Sequence, residues 1–296
     1  MDDELLTLLP EDLETRVLHA YLLSAVGPRP IAFASTVDAL GTPNLAPFSF
    51  FNVFSANPPV LIFSPARRVR DNTTKHTLEN VLDTGEVVIN VVTYPMVQQM
   101  SLASTEYDRG VNEFEKAGFT MVPSEMVKPW RVGESPVQFE CRVTKVEALG
   151  EEGGAGNLVF SEVVRIHVKK EVLDGEGRLD PLKLDLVARM GGNWYSRAAD
   201  GLFEVPKPRS GKGVGVDAIP ESIRNSPVLT GNDLGRLGNF ERIPSEGEVS
   251  AFVEETVEAR TVLSSEDPQL VHKKAQAYLR ADDVASAWKL LLAGIG

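Results

Sequence analysis

Polar side chains interrupt an apolar and aromatic stretch, residues 27–64, which holds the residue types best suited to contact a ligand. Its central part, residues 42–51, is rich in Pro and Phe but also contains Asn44 and Ser49, and Asn52 follows it. A strand that only fills a core does not require amide and hydroxyl groups, whereas a flat ligand with a polar edge does. A flavin ring is such a ligand, and a bound cofactor of this kind brings its own chemistry. We therefore interpret this stretch as one wall of a flavin site, whose apolar face also contributes to the core because successive strand residues point in opposite directions.

A basic segment follows this stretch and suits a phosphate group. Residues 66–75 read ARRVRDNTTK and carry four Lys or Arg residues against one acid, Asp71. A helix is predicted from Thr74 to Leu82, and the free N–H groups of a first helical turn bind anions. Lys75 and Thr77 are the side chains expected to contact the phosphate. The alternative is that the segment is only a solvated loop.

The usual catalytic patterns are absent from the sequence. It has neither a GxxxxGK[ST] loop nor a GxSxG motif. Residues 211–217, GKGVGVD, follow a Pro-rich stretch rather than a strand and are not expected to bind phosphate. The four histidines lack metal-ligand spacing, and both His167 and Cys141 fall within predicted strands, where structural roles are expected. We therefore expect no catalytic side chain and no metal site, so that a bound flavin carries the chemistry.

Composition and charge limit the partners of the chain. It has 296 residues, of which 43% are hydrophobic and 24% charged, with a formal net charge of −12. Such a charge repels nucleic acid and anionic lipid, so neither is an expected partner. The single cysteine excludes a disulfide within the chain. The N-terminal segment is acidic and therefore makes a poor targeting signal. No apolar run approaches the ~18 residues that are needed to span a membrane. A cytoplasmic location is expected.

Predicted strands outnumber predicted helices in the first two thirds of the sequence. Strands are predicted by their β-branched and aromatic content at Ile31–Val37, Asn44–Val53, Val60–Ser64, Glu86–Thr93, Val137–Ala148 and Asn157–Val168. Turns at 38–42 and 149–156 predict two hairpins. Besides the helix at 74–82, short helices are predicted at 96–104 and 112–117. Strands separated by turns and short helices favour a mainly β fold, a closed or partly closed barrel, over a doubly wound sheet.

The two ends of the chain differ from this pattern. Residues 3–9 are predicted to form a helical turn that Pro10 ends, and residues 13–23 form either a short helix or an extended lead-in. After Tyr195 the composition changes to a Pro/Gly-rich linker and then to helical spacing. The linker covers 205–215, and helices are predicted at 220–237 (helix-loop-helix), 247–262 (one helix) and 267–292 (a helix or helix pair). We expect a barrel domain with its lead-in at 1–204 and a C-terminal extension at 205–296.

Six segments, in order, resemble one known family. They are PRPIAFAST (28–36), NLAPFSFFNVFSANPPVLIFS (44–64), KHTLENVLDTGEVVINVV (75–92), NEFEKAGF (112–119), ESPVQFECRV (134–143) and RMGGNWY (189–195). Together they resemble the flavin reductase-like, FMN-binding split-barrel family, which includes flavoredoxin-like proteins and the reductase components of two-component monooxygenases. The resemblance covers about residues 20 to 200. The chain departs from the family at Lys75-His76-Thr77, where Lys-Asp-Thr is common, and at Asn112, where Asp is usual.

The resemblance implies a homodimer of split barrels with FMN at the subunit interface. Ser35, Thr36 and the backbone of residues 46–51 would meet the ring and ribityl chain, and Lys75 and Thr77 the phosphate. Residues 189–195 would approach the flavin or the partner chain, and the tail would wrap the barrel or the dimer. The full set of residues expected to bind the cofactor is Arg29, Ser35, Thr36, Asn44, Ala46, Pro47, Phe48, Ser49, Phe50, Phe51, Lys75, His76, Thr77 and Tyr195.

The function that the resemblance implies is an FMN-dependent oxidoreductase that transfers hydride from NADH or NADPH to flavin N5 without an essential acid or base. Reduced flavin would then pass to a monooxygenase, to oxygen or to another electron acceptor. Two alternatives stay open: an electron-transfer flavoprotein of the flavoredoxin kind, and a non-enzymatic FMN-binding protein. No Rossmann-type selector indicates which nicotinamide nucleotide is used.

Overall fold

The chain folds as two units, Met1–Phe203 and Glu204–Gly296, in a computed structural model that describes residues 5–205, 207, 211–265 and 267–295. This division lies one residue from the predicted boundary, and independent folding of the two parts stays a prediction, tested below. Parts of the predicted linker at 205–215 lie outside the described residues. Within the described ranges no helix combines the length and apolarity that crossing a membrane requires.

A seven-stranded antiparallel sheet dominates the first unit. The strands of this unit are β1 (Ala32–Val37), β2 (Pro43–Phe48), β3 (Phe51–Ala56), β4 (Pro59–Phe63), β5 (Glu86–Val91), β6 (Met121–Val122), β7 (Arg131–Val132), β8 (Val137–Ala148), β9 (Asn157–Val168), β10 (Val187–Arg189) and β11 (Tyr195–Arg197). The large sheet has the order β2-β1-β5-β8-β9-β4-β3, while β6–β7 and β10–β11 form separate two-stranded pairs. Its edge strands β2 and β3 are joined by only two residues, Ser49 and Phe50. Because so short a link cannot cross a flat sheet, the two edges must approach each other, and the sheet curls into the predicted barrel with a split at this corner.

Short helices cover the sheet. The helices of this unit are α1 (Thr15–Ala25), α2 (His76–Thr84), α3 (Val97–Leu102), α4 (Glu113–Ala117) and α5 (Pro181–Leu184), with 3₁₀ turns at Pro10–Asp12, Tyr94–Met96, Lys170–Val172 and Ala198–Gly201. Helix α2 ends at Gly85, whose φ of 68° is left-handed and therefore favours glycine.

Strand β1 lies between two apolar layers, and all six of its residues are buried. Ala32 and Ala34 pack in a cluster with Leu78 and Val81 of α2, whereas Phe33 packs with Met100 of α3 and Phe114 of α4. Ser35 and Thr36, the two polar residues of β1, are therefore buried along with its apolar residues.

The second unit contains only helices among its described residues: α6 (Glu221–Arg224), α7 (Gly231–Gly238), α8 (Glu246–Glu255), α9 (Val257–Leu263), α10 (Pro268–Arg280) and α11 (Val284–Ala293). Thr230 and Ser245 start α7 and α8 with capping boxes. Trp288 is fully buried at the centre of this unit, and its indole N–H donates to the Leu237 carbonyl at 3.1 Å. This unit therefore has a hydrophobic core of its own.

Three element predictions were wrong in detail. The strand predicted at 44–53 is two strands, because the chain turns at Ser49–Phe50 between the sheet edges. The helix predicted at 247–262 is divided into α8 and α9 at Thr256, whose backbone is extended. The helical turn predicted at 3–9 is also absent from residues 5–9, and a 3₁₀ turn begins only at Pro10; residues 3 and 4 lie outside the described residues. The lead-in at 13–23 is the helix α1.

Candidate functional site

The register of the β1–β2 hairpin divides the predicted wall between two faces. Thr36 pairs with Asn44, Ala34 with Ala46, and Ala32 with Phe48, so that these residues share the face on which α2 packs. Ser35 and Pro47 lie on the other face of the hairpin. The residues predicted to form one wall therefore serve two different places.

Four buried polar side chains link α2 to the hairpin on the first face. The Asn44 amide donates to the hydroxyl of Thr36 at 3.2 Å and to that of Thr77 at 2.9 Å, and the Asn80 amide donates to Thr36 at 3.0 Å. The Oδ1 atom of Asn80 is buried without a hydrogen-bond partner among the described residues. Because both threonine hydroxyls accept from amides, their own protons stay available for an acceptor such as a ligand oxygen. This cluster suits a polar ligand group at the start of α2.

Lys75 lies at the N-cap of α2, beside this cluster. Its ammonium group is 5.4 Å from the ring centre of Phe48, and it forms no salt bridge with any described residue. Burial lowers the pKa of Lys75, and the neighbouring Arg68 lowers it further. Among the described residues no side chain caps the first turn of α2; the Leu78 N–H donates to the Lys75 carbonyl at 2.9 Å, which leaves the N–H groups of His76 and Thr77 available. A half-buried cation beside an uncapped helix N-terminus is what a phosphate site requires.

The arginines of the basic segment shape the loop instead of offering free charge. Arg67 donates to the side chain and the carbonyl of Asn72 at 2.6 and 2.8 Å. Arg68 donates to Thr73 at 3.0 Å, to the Thr74 carbonyl, and to Glu106 at 3.2 Å. These contacts hold the loop against the start of α2 and commit both guanidinium groups to protein atoms, whereas the Lys75 ammonium group has no hydrogen-bond or ion-pair partner among the described residues.

His76 points to a different place from its two neighbours. With Asn44, Asn80 and Arg109 it lines a pocket of about 10 Å³, the size of one water molecule. Burial, followed by the charges of Arg109 and Arg68, lowers the pKa of His76 and favours its neutral form. Its predicted contact with the cofactor would then be made as a neutral ring.

A larger cleft of about 580 Å³ opens on the other face of the hairpin, where Pro47 and Ser49 meet Tyr195. Its remaining lining comes from the residue before β1, from α3 and a residue after it, and from the 189–195 segment, with Ile31, Gln98, Met100, Ser101, Ser104, Arg189 and Asn193. Gly191 holds that segment close to α1, since a Cβ atom at this position would lie 2.3 Å from Ser24 Oγ and 3.1 Å from Ser24 Cα. The cleft is therefore next to the predicted flavin wall.

The structure places Arg29 among protein hydrogen-bond acceptors. Its side chain is buried and donates to the carbonyls of Leu23, Val26 (2.7 Å) and Met190 (3.0 Å), and more weakly to Ser49 Oγ at 3.4 Å. These bonds link Arg29 to α1, to Ser49 and to the 189–195 segment beside the cleft, and its contact with the cofactor stays a prediction.

The other predicted residues are distributed as follows. Phe48 packs in the core against Phe63, and Phe51 packs against the same cluster. Phe50 is 37% exposed at the corner between β2 and β3, with its ring edge-on to His19. Ser35 is fully buried, and its hydroxyl has no partner among the described residues.

Sequence reasoning missed Asn80, Arg189 and Glu113. Asn80 lies one helical turn after Thr77, a spacing that places both on one face of α2. Glu113 is 5% exposed, and its carboxylate accepts a hydrogen bond from the Leu45 N–H at 3.0 Å. Arg189 was part of a recognised segment, but only the fold shows that it lines the cleft.

Comparisons with known proteins agree with this fold. The model of the flavin reductase like domain matches residues 25–183. An uncharacterized protein of Aquifex aeolicus is 40% identical over 181 residues, which are 61% of this chain and 90% of that protein. The structure is similar to nitrilotriacetate monooxygenase component B from Bacillus cereus, with a TM-score of 0.64 and 28% identity over 69% of this chain and all of that one. It is also similar to a candidate flavin reductase with a split barrel domain from Shewanella frigidimarina, with a TM-score of 0.57 and 28% identity over 67% of this chain and 95% of that one.

The matched region contains the barrel, the Asn44–Thr77 cluster, Lys75 and all but the last segment of the cleft. The expected resemblance and fold class are thereby confirmed, and flavin-related oxidoreductase chemistry is the function class that they support. The chain belongs to the flavin reductase-like family.

Proposed function

We propose that the protein is an FMN-dependent oxidoreductase that takes hydride from NADH or NADPH. The observation that carries the proposal is the uncompensated charge of Lys75 at the uncapped start of α2, beside the Thr36–Asn44–Thr77 cluster. A flavin mononucleotide has both groups that these features suit, a phosphate and a ring system with a polar edge. The unpaired Oδ1 of buried Asn80 supports a polar ligand at the same place.

Each part of the site has a role in this proposal. Lys75 and the first N–H groups of α2 bind the phosphate, and Thr77 donates its hydroxyl proton to a phosphate oxygen. Residues 46–51 orient the ring, since Pro47 stiffens the end of β2 and carries no N–H that would compete for an acceptor. A flavin held there would supply the hydride acceptor, and the cleft lined by Pro47, Ser49 and Tyr195 would give a second molecule access to this wall.

The proposal includes a homodimer. Strand β3 is an edge of the sheet and exposes Val53 and Phe54, at 62% and 65%. An exposed apolar edge strand is a surface that proteins usually cover, and a second copy of the chain would cover it. Because β3 follows the corner at Ser49–Phe50, a partner there would lie close to the predicted flavin wall. The similarity to a monooxygenase component supports a second enzyme as the recipient of reduced flavin.

An anaerobic titration tests the proposal. The purified protein is loaded with FMN, and its absorbance is followed while NADH or NADPH is added without oxygen. Loss of the oxidised flavin spectrum with either nucleotide supports the reductase. If the protein binds FMN tightly and dithionite reduces it but neither nucleotide does, the electron carrier is favoured instead. A protein that does not bind FMN would contradict the whole assignment.

A further inference from the structure

Two arginines, Arg29 and Arg189, face each other where the chain enters and leaves the barrel. Their backbones form an antiparallel bridge with two N–H···O=C hydrogen bonds of 2.9 Å each. The positive charge of Arg189 contributes, after burial, to lowering the pKa of Arg29, so the two charges are close enough to repel each other. Like charges directly opposite one another on paired strands destabilise the fold. A local loss of stability from opposed like charges is expected mainly at functional sites.

The charge of Arg29 is compensated inside the protein. Its guanidinium donates to the carbonyls of Leu23 and Val26, at the C-terminal end of α1, where the helix dipole is negative. A further hydrogen bond to the Met190 carbonyl uses the other terminal nitrogen. Arg29 therefore positions α1, the Ser49 corner and the 189–195 segment with respect to one another.

The charge of Arg189 has no such compensation. Its guanidinium stacks on the ring of Tyr195, 4.6 Å from the ring centre, and donates to the carbonyl of Gly192 at 2.9 Å. Among the described residues, no Asp or Glu oxygen lies within 4.0 Å of it. The side chain is half-buried and lines the 580 Å³ cleft beside Ser49.

The surroundings of Arg189 in the cleft are hydrogen-bonding but uncharged. Ser101 and Ser104 contribute hydroxyls, and Gln98 and Asn193 contribute amides. An arginine fixed by stacking and surrounded by neutral donors matches the planar, multidentate recognition of a phosphate or carboxylate. A purely structural arginine would be expected to pair its remaining N–H groups with protein acceptors, as Arg29 does.

We propose that Arg189, stacked on Tyr195, binds a phosphate or carboxylate group of the molecule that exchanges electrons with the flavin. The inference rests on the proposed function, because it assigns the cleft next to the flavin wall to that molecule. Two sources supply this chemistry: the phosphates of a nicotinamide nucleotide, and the carboxylate of an organic acid that accepts electrons.

The test compares Arg189→Gln and Arg189→Lys with the unaltered protein, all loaded with FMN. Arg178→Gln is the matched control, since it removes an exposed arginine that pairs with Asp174 and Glu176 away from the cleft. FMN affinity and the melting temperature are measured first. FMN affinity is expected to be unchanged in all three variants, and Arg189→Gln, which relieves the repulsion with Arg29, should melt at the same temperature as the unaltered protein or higher. The rate of anaerobic flavin reduction is then followed against the concentration of NADH and of NADPH.

If a nucleotide phosphate is the anion, Arg189→Gln raises the half-saturating nucleotide concentration about tenfold or more, with little change in the limiting rate. Arg189→Lys recovers part of the lost nucleotide affinity. Inorganic pyrophosphate competes with the nucleotide only in proteins with a cationic side chain at position 189, which are the unaltered protein, Arg189→Lys and Arg178→Gln. If the anion is a carboxylate, nucleotide saturation is unchanged, and benzoate, titrated by calorimetry, binds the unaltered protein and Arg178→Gln but not Arg189→Gln.

The inference is overturned if Arg189→Gln matches the unaltered protein in nucleotide saturation, in competition by pyrophosphate and in benzoate binding. An unaltered protein that does not bind FMN, or that neither nucleotide reduces, is instead a failure of the proposed function. In that case benzoate and pyrophosphate are each titrated by calorimetry into the unaltered protein and Arg189→Gln, which does not depend on reduction and still decides the inference.

Discussion

The Glu113 carboxylate accepts a hydrogen bond from the backbone N–H of Leu45, 3.0 Å away, and so anchors the middle of β2 from the start of α4. Strand β2 is an edge of the sheet and has a strand partner on one side only. The Leu45 N–H would therefore be buried without an acceptor if Glu113 were absent. Leu45 lies between Asn44 and Ala46, and both of these residues are expected to contact the cofactor. The Glu113 carboxylate therefore fixes the backbone of this part of the predicted flavin wall.

This arrangement predicts a specific dependence of stability on pH. Burial raises the pKa of Glu113 above its ordinary value of 4.5, although hydrogen bonds from backbone N–H groups oppose the shift. The folded state then binds this proton more tightly than the unfolded state. The contribution of Glu113 to stability is therefore fully present below pH 4.5 and is lost as the pH rises through the raised pKa. Glu113→Gln removes this slope while keeping an acceptor for Leu45.

Urea unfolding of the two proteins between pH 4 and about pH 8, followed by circular dichroism, checks the prediction. The free energy of unfolding of Glu113→Gln minus that of the unaltered protein should increase as the pH rises, because only the unaltered protein loses stability. Glu115→Gln, on the exposed side of the same helix, controls for the loss of one negative charge. A difference between Glu113→Gln and the unaltered protein that does not change with pH would show that burial does not affect this carboxyl.

Replacement of Lys75 should affect ligand binding and stability in opposite directions. Lys75→Met removes the cation that is expected to contact the phosphate, so FMN affinity should fall about tenfold or more. The same change removes a partly buried charge without a salt-bridge partner among the described residues, so the ligand-free protein should be as stable as before or more stable. Fluorescence titration with FMN and thermal unfolding of the ligand-free protein measure the two effects.

Lys75→Arg, which keeps the charge, should retain most of the affinity, and Lys170→Met, at an exposed position, should behave as the unaltered protein. If Lys75→Met binds FMN normally, the phosphate site lies elsewhere. If it loses stability and affinity together, Lys75 is a structural residue.

The main elements could be predicted from the sequence because their signals are local. The Gly-rich turn between two β-branched runs predicted β8 and β9 with their observed bounds, Val137–Ala148 and Asn157–Val168. The short helix predicted at 112–117 is α4, and the structure shows Asn112 capping its start and Gly118 its end. The spacing of Lys75 and Thr77 was enough to place both at the start of one helix.

The hydrogen-bond partners of a long side chain could not be predicted in this way. Arg29 donates to the carbonyl of Met190, which is 161 positions away, and no local pattern indicates such a pairing. The turn at Ser49–Phe50 was missed because an edge strand that continues at the opposite edge of a curled sheet has the same apolar composition as one long strand. Arg189 was missed as a cleft residue because its surroundings come from Ile31, β2 and α3, which are far apart in the sequence.

A single charge on β3 should separate the proposed dimer. Phe54 is the extra residue at the irregularity between Val53 and Ser55, and both it and Val53 project into solvent. Phe54→Lys would place a charge in a covered apolar interface, where burial without a partner is costly. Sedimentation velocity should show a dimer for the unaltered protein and a monomer with weaker FMN binding for Phe54→Lys.

Leu182→Lys is the matched control, since Leu182 is 62% exposed on α5 and should tolerate a charge without dissociation. A Phe54→Lys protein that stays dimeric would move the interface away from β3. An unaltered protein that sediments as a monomer would remove the homodimer from the proposal.

The helical unit at 204–296 should fold by itself. Its cluster of twelve buried residues includes Ile223, Leu237, Leu279 and Trp288, and its members all come from the same unit. Helices α7 and α8 have capping boxes, and Asp267 and Asp283 cap α10 and α11, so their starts are stabilised by local side chains.

A fragment of residues 204–296 should therefore give a cooperative thermal transition and a helical circular dichroism spectrum. Trp288, the single tryptophan of this fragment, should emit at the short wavelengths of a buried indole until the transition. Trp288→Phe, which keeps an aromatic ring but leaves the Leu237 carbonyl without its donor, should lower the stability of the fragment by about 1–3 kcal/mol. A fragment whose helicity melts gradually, with solvent-exposed Trp288 emission at all temperatures, would instead show that this unit needs the barrel in order to fold.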